Sequence, residues 1–293
     1  MPDHRLFSAC LTYLVGLAVL LLGAPAVAAT LADVSCCDDL DDAQRARAES
    51  IMAQQYLYDC CDDTVATCLA QSEPCPLAKR LTGEICRRVE HGYSDADVDQ
   101  ALKLRARSMM PGGPVTDIDL AGAPVIGEPD APVVLVEYAC MRCPFCARMT
   151  LALLDELEPG GALHGKVRLY YKLFPLKGHS GSVEGGLAAL AAQDQGRFWE
   201  FLRLSYDRFG AFSVDALPSW AAEVGLDPDQ YAASIADPAT RQRLVAAKRE
   251  GIANGVTATP TLYINGRMFQ SRLEVDQVLD MLQEEHERLT ATP

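Results

Sequence analysis

Val133-Val-Leu-Val136-Glu-Tyr-Ala-Cys140-Met-Arg-Cys143-Pro-Phe-Cys146 passes from four consecutive apolar residues into a run of three cysteines. A short, continuously apolar run of this kind is a strand buried on both faces. Pro144 suits the first position of a helix, and Ala147 to Leu157 continues with good helix formers until Pro159-Gly160-Gly161 ends it. Cys143 then stands at the mouth of a helix with Cys146 one turn inside, so their sulfurs can reach disulfide distance. Free N–H groups and the helix dipole favour an anion at Cys143. Its pKa should fall, which makes Cys143 the attacking thiolate and Cys146 the thiol that resolves a mixed disulfide.

Downstream, Val167 to Phe174 is a second strand, giving β-α-β, and C-x-x-C at a strand-to-helix junction in such a unit is a redox pattern. From Ser180 to Asn254 the pattern is helical, with breaks near Gly196, Pro218, Pro228 and Pro238. Thr261 to Ile264 and Arg267 to Phe269 are two strands around Asn265-Gly266, a pair that tolerates the positive φ of a hairpin turn. Ser271 with Glu274 predicts a capping box for a last helix reaching about Leu289.

Val136-Glu-Tyr-Ala-Cys-Met-Arg-Cys-Pro-Phe-Cys-Ala147, together with Gly255-Val-Thr-Ala-Thr-Pro260-Thr-Leu-Tyr-Ile-Asn-Gly266, resembles the DsbA-like branch of thioredoxin-fold thiol:disulfide oxidoreductases. The approach Gly122 to Pro132 is similar to that branch as well. The resemblance implies an α/β thioredoxin-like fold with a helical insertion, and a Thr259-Pro260 bond in the cis form facing the active-site disulfide. It also implies a chemistry carried by the Cys143–Cys146 disulfide with no separate cofactor, protein thiols and disulfides as substrates, and a membrane redox partner that recycles the site. Glu137, at the end of its strand, and Lys172, in the neighbouring one, are candidates for the semi-buried acid and base that move the resolving thiol's proton. The strongest oxidants of the branch resemble C-P-H-C. Phe145 stands here instead, which removes an imidazole from the thiolate and leaves the helix terminus to stabilise it.

Cys140 departs from the pattern and creates C-x-x-C-x-x-C. An iron–sulfur run would need a fourth cysteine after three intervening residues, followed by proline, but that position, residue 150, is Thr150. A structural zinc site needs four ligands, for which His164 and His179 are the nearest additions. Cys140 is therefore a third redox thiol, a silent or interdomain-bonded cysteine, or a metal ligand. Gly160-x4-Gly165-Lys166 is half a P-loop, but Val167 replaces the hydroxyl that would hold magnesium. His91, His164, His179 and His286 read as surface or loop residues.

Of the 293 residues 49% are hydrophobic, 23% charged and 11 cysteine, a composition that excludes a disordered polymer and a polytopic membrane protein. A formal charge of −14 argues against nucleic acid as a partner. The N-terminus has a weakly basic start, an apolar run from Leu6 to Leu22 and a small-residue ending at Ala26-Val-Ala28. It reads as an export signal over residues 1–28, cleaved after Ala28, the alternative being an uncleaved membrane anchor. Removal takes Cys10 and leaves ten cysteines in an extracytoplasmic compartment such as the periplasm, where disulfides persist.

Met110-Pro-Gly-Gly-Pro114 marks a domain boundary. Residues 29–110 are expected to form a small Cys-rich helical domain, 111–132 a linker and approach, and 133–293 the thioredoxin-like domain with its insertion over about 180–254. In the first, Ala43 to Leu57 is helical, Leu77, Leu81, Ile85 and Val89 recur four apart, and Ser94 caps a further helix. Cys61, Cys68 and Cys75 follow at seven-residue steps and would share a face of an unbroken helix, which Pro74 and Pro76 oppose. Two or three disulfides stapling a limited core is one reading. A second dithiol relay or a soft-metal site for copper or zinc is another. Pro76 to Val98 weakly resembles the helical module of cytochrome c maturation thioreductases of the CcmH type, whose upstream C-x-x-C is not matched by Cys60-Cys61 and Cys68. The seven cysteines of this segment are odd in number, so at least one is unpaired, bonded to another chain, or bonded across to Cys140, the last leaving only the active-site pair free. The function that follows is an exported dithiol:disulfide oxidoreductase, with a soft-metal protein or a cytochrome c thioreductase as alternatives.

Overall fold

A computed structural model of the chain describes residues 34–291. The expected export signal over residues 1–28, with Cys10, lies outside the described residues. The described chain falls into two compact units that part between Gly113 and Pro114, with Gln270–Arg272 grouped with the first.

The first unit is helical: α1 (Asp42–Met52), α2 (Val65–Leu69), α3 (Pro76–Glu90) and α4 (Asp95–Met109). Helix α3 is its centre, because Leu77, Leu81, Ile85 and Val89 form one apolar stripe and all four are buried. Glu84 and Arg88 of α3 and Arg105 of α4 are buried with it: Glu84 Oε2 lies 2.8 Å from Arg105 Nη1 and Oε1 lies 3.1 Å from Arg88 Nη2. Disulfides close the unit. Cys37–Cys86 ties the segment before α1 to α3, while Cys60–Cys75 and Cys61–Cys68 staple the stretch around α2. Cys36 is disulfide-bonded too. The thiols that a soft-metal site would need are thus oxidised, and among the described residues no group of three His, Cys, Asp or Glu is placed to hold a metal ion.

Three sequence expectations shift here. Helix α1 stops at Met52 rather than Leu57, since the chain turns back for Tyr56 to bridge Thr64. The seven-residue cysteine ladder shares no helix face, because α2 spans only Val65–Leu69 and Cys75 is the N-cap of the next helix. Cys140 is a free thiol and makes no bond to the N-terminal set.

The second unit carries a five-stranded sheet in the order β1-β3-β2-β4-β5, from β1 (Val125–Ile126), β2 (Val133–Ala139), β3 (Val167–Leu173), β4 (Thr261–Ile264) and β5 (Arg267–Met268). Strands β2 and β3 are parallel and joined through α5 (Pro144–Leu157); the other pairs are antiparallel. Between β3 and β4 lies the helical insertion: α6 (Ser182–Asp194), α7 (Phe198–Asp207), α8 (Leu217–Glu223), α9 (Pro228–Ala236) and α10 (Pro238–Ala253). Pro228 and Pro238 open their helices instead of breaking one, each preceded by an Asp N-cap. α10 packs on one face of the sheet, and Gly251 there lets it approach closely: a Cβ would lie 2.8 Å from the Phe174 ring.

The β4–β5 turn matches its sequence, with Asn265 at φ +47° and Gly266 at φ +77°. The last helix, α11 (Val275–Thr290), begins without the expected capping box: Glu274 is the N-cap with no side-chain bond, and the Ser271 hydroxyl is buried without a partner. α11 is held instead through Glu285, which pairs with Arg267 and Arg288 at 2.7 Å each and accepts from Asn265 Nδ2 at 2.7 Å. Among the described residues no helix is long and apolar enough to cross a membrane.

Candidate active site

Strand β2 ends at Ala139, and Cys140-Met-Arg-Cys143 forms a turn in which Cys143 N–H donates to the Cys140 carbonyl at 3.0 Å. Cys143 is the N-cap of α5, with extended φ −102° and ψ 119°, and Pro144 is at N1. Proline has no N–H, so the free donors at this helix mouth are those of Phe145 and Cys146. Both act on the Cys143 sulfur. Its pKa is lowered to about 5, first by the hydrogen bond from the Cys146 thiol, then, against burial, by the Cys146 N–H, the Thr259 hydroxyl and the Phe145 N–H. Cys146 goes the other way. Burial pushes it far up, reinforced by its bond to Cys143 and by the charge of Glu137. Two thiols one turn apart thus differ in kind: one is a thiolate at neutral pH, and the other keeps its proton until something takes it.

The opposite wall comes from the loop before β4. Register pairs Tyr138 with Thr261, so this loop arrives at the carboxyl end of β2. The Thr259–Pro260 bond is cis, and the Thr259 carbonyl accepts from the Cys143 thiol at 3.4 Å. Phe145 projects outward and is 60% exposed, with the Arg148 guanidinium 5.8 Å from its ring.

Glu137 is fully buried beneath α5, and its two carboxylate oxygens accept from Thr150 Oγ1 at 2.9 and 3.0 Å. Thr150 lies four residues after Cys146, on the same face of α5. Burial raises the Glu137 carboxyl to about 8, opposed by the Thr150 bond and helped by the charge on Cys143. Lys172 does not join it. Parallel register sets Glu137 beside Tyr171 and Tyr138 beside Lys172, which sends Glu137 and Lys172 to opposite faces of the sheet. Lys172 pairs with Glu250 Oε2 at 3.2 Å and donates to the Asp119 carbonyl, on the face where Tyr138 donates to Glu250 Oε1 at 3.0 Å.

Beside Glu137, Tyr171 and Tyr206 share a 2.6 Å hydrogen bond between hydroxyls, and Tyr206 donates to the Cys140 carbonyl at 3.3 Å. Both rings are buried. Arg142, the residue before Cys143, lies over the rings of Phe212 and Phe209 at 4.4 and 5.0 Å and donates to the Ser180 and Phe209 carbonyls. Cys140 is 1% exposed, with its sulfur 3.4 Å from His179 Nδ1. Sequence reasoning placed Cys143, Cys146, Thr259 and Pro260 together. It missed Thr150, whose signal was the helical step from Cys146, and Tyr171, whose signal was its register with Glu137. His179, read as a loop residue, stands at a buried thiol.

The family model described as thioredoxin matches residues 120–284. Among curated relatives, the Na(+)/H(+) antiporter NhaA of Herminiimonas arsenicoxydans is 31% identical over 157 residues, covering 54% of this chain and 24% of the antiporter. NhaA 1 of Mycolicibacterium gilvum (strain PYR-GCK) is 33% identical over 147 residues, covering 49% and 23%. The chain thus spans about a quarter of the length of these relatives. Among solved structures, oxidised BdbD from Bacillus subtilis is 19% identical with a TM-score of 0.53, covering 59% of this chain and 97% of that one. A thioredoxin-like oxidoreductase from Silicibacter pomeroyi DSS-3 is 26% identical with a TM-score of 0.49, covering 58% and 95%. With a family model that matches more than half of the residues, and a sheet that brings a C-x-x-C helix mouth against a cis-proline loop, the chain belongs to the thioredoxin family.

Proposed function

We propose that the protein is an exported thiol:disulfide oxidoreductase that exchanges disulfides with protein substrates through Cys143-Pro-Phe-Cys146. The observation that carries this reading is the division between the two thiols: Cys143 is lowered to about 5 at the helix mouth, and Cys146, one turn inside, is raised by burial. A low-pKa thiolate attacks a disulfide and also leaves one readily, whereas a buried partner with a retained proton closes the internal disulfide in a second step. In the oxidising direction the substrate thiolate attacks the Cys143 sulfur of the Cys143–Cys146 disulfide and Cys146 leaves, taking a proton. A second substrate thiolate then displaces Cys143. Glu137 is the group through which the Cys146 proton moves, by way of its buried carboxyl and the Thr150 hydroxyl. The edge formed by Thr259 and cis Pro260 offers backbone groups to an extended substrate chain, with Phe145 as its apolar neighbour.

The chemistry requires no cofactor beyond the disulfide itself. Net turnover requires a partner that resets the active pair, and for an exported protein this is a membrane redox protein. The export signal over residues 1–28 and the oxidised N-terminal cysteines favour an extracytoplasmic setting. Whether oxidation, reduction or isomerisation dominates depends on the potential of the pair, which the absence of an imidazole at Phe145 moderates.

The test is turnover of a reduced or scrambled protein substrate by Cys143→Ser, together with the pH dependence of Cys143 alkylation. Exchange should be lost in the variant. Alkylation of the wild type should be half-maximal near pH 5, where an ordinary thiol reacts only near about pH 8.5. Undiminished exchange by Cys143→Ser, or alkylation with an ordinary thiol's pH profile, overturns the reading.

A further inference from the structure

We propose that Cys140 is a second resolving thiol: it attacks the Cys143 sulfur of a mixed disulfide and expels the substrate thiol, leaving a Cys140–Cys143 disulfide. This rests on the thiol exchange proposed above and adds a route that does not pass through Cys146.

Three observations carry it. First, Cys140 and Cys143 are the first and fourth residues of a turn closed by the 3.0 Å bond from Cys143 N–H to the Cys140 carbonyl. The ends of such a turn lie less than about 7 Å apart at Cα, and disulfides span Cα separations up to about 6.8 Å. The backbone therefore holds the two Cα atoms within about the range a disulfide spans. Second, Cys140 is free while all seven N-terminal cysteines are oxidised. Third, the Cys140 sulfur sits 3.4 Å from His179 Nδ1 and 3.4 Å from the Arg142 N–H. A cysteine that merely fills space in a core has no use for an imidazole at its sulfur. Burial raises the Cys140 pKa, so a base in contact is what a nucleophilic role requires there.

The rest of the residue is tied to the same chemistry. The Cys140 carbonyl accepts from Cys143 N–H and from the Tyr206 hydroxyl, and its own N–H reaches the Cys146 sulfur. In the step itself, His179 takes the Cys140 proton, and the thiolate forms a bond to Cys143 Sγ. The bond between Cys143 Sγ and the substrate sulfur breaks, and the leaving thiolate is protonated by the imidazolium. Cys140 is oxidised, the substrate sulfur is reduced, and no external oxidant enters. Cys146 can then exchange into the new disulfide and return Cys140 to the thiol form.

The experiment uses the full chain with its N-terminal disulfides intact and the active-site thiols reduced. Cys146→Ser is mixed with excess 5,5′-dithiobis(2-nitrobenzoate), and the thionitrobenzoate released is followed against the Cys140→Ser/Cys146→Ser double variant. The double variant should release one equivalent and retain the adduct on Cys143. Cys146→Ser should release a second equivalent and end without an adduct. Trypsin cuts after Arg142, so a Cys140–Cys143 bond would join two tryptic peptides. His179→Ala should slow the second release roughly tenfold or more and leave the first unchanged. A single equivalent from Cys146→Ser, with a stable adduct, overturns the proposal. A first release no faster than that of an ordinary thiol would instead overturn the assignment of Cys143 as nucleophile, so the two failures are distinct. Should Cys146→Ser not fold, Cys146→Ala is carried through the same assay: a second equivalent without a remaining adduct supports the proposal, and a single equivalent with a stable adduct overturns it.

Discussion

Glu137 shows what one buried carboxyl does to both stability and proton movement. Its pKa in the folded protein is about 8, against 4.5 for the free group, because burial disfavours the charge more than the Thr150 bond favours it. Between those two values the folded state binds more protons than the unfolded state, so stability falls as pH rises through that window. Below about pH 4.5 both states hold the proton and the penalty is absent. Glu137→Gln keeps an oxygen for Thr150 and removes the charge. Its unfolding free energy should exceed that of the wild type by a few kcal/mol at about pH 8, with the difference vanishing near about pH 4.5. Denaturant titrations of the reduced protein at the two pH values check this; equal stabilisation at both would show that the ionised carboxylate carries no burial cost. The same variant should slow proton transfer at Cys146 and leave Cys143 alkylation nearly unaltered.

At the scale of elements, most of the second unit is visible in the order of its residues. The apolar run of β2, Pro144 at the start of α5, and Asn265-Gly266 between β4 and β5 each have a local cause, and each stands where that cause puts it. What the linear order does not contain is strand pairing. Glu137 and Lys172 look like neighbours because their strands are adjacent, yet the register of β2 on β3 sends them to opposite faces, and a shift of one residue would have reversed the outcome. Ser271 and Glu274 have the spacing of a capping box, but no side-chain bond caps α11, and the helix is tied down about three turns further along, where Glu285 pairs with Arg267. The β-turn permits a direct test of local cause. Gly266 has φ +77°, and a Cβ there would lie 2.7 Å from Val115 Cγ1 and 2.8 Å from the Thr116 carbonyl. Gly266→Ala should destabilise by about 1–3 kcal/mol through the strained backbone and the close contact. Exchange activity per folded molecule should persist, because Thr259 and Pro260 enter β4 from its other end. Loss of activity without loss of stability would contradict that separation.

At the scale of the whole molecule, the cysteines among the described residues divide by unit: those of the first are cross-linked, while Cys140, Cys143 and Cys146 of the second are thiols. Oddness in the N-terminal count suggested a bond to Cys140, but all seven of those cysteines are disulfide-bonded while Cys140 stays a free thiol beside an imidazole. The division makes chemical sense, since a structural disulfide must resist the exchange that an active pair performs. It also yields a prediction. Cys37–Cys86 spans 49 residues and joins the segment before α1 to the central stripe of α3, so its chief effect is to limit the unfolded chain of the first unit. Cys37→Ala/Cys86→Ala should lower the stability of that unit by about 2–5 kcal/mol. Calorimetry would read this as a lower transition temperature for part of the unfolding heat. The alkylation rate of Cys143 at neutral pH should stay at the wild-type value, because the groups that lower its pKa, Cys146, Thr259 and Phe145, all belong to the second unit. A fall in that rate at temperatures where the second unit remains folded would show that the N-terminal disulfides support the active site and do more than hold their own helices together.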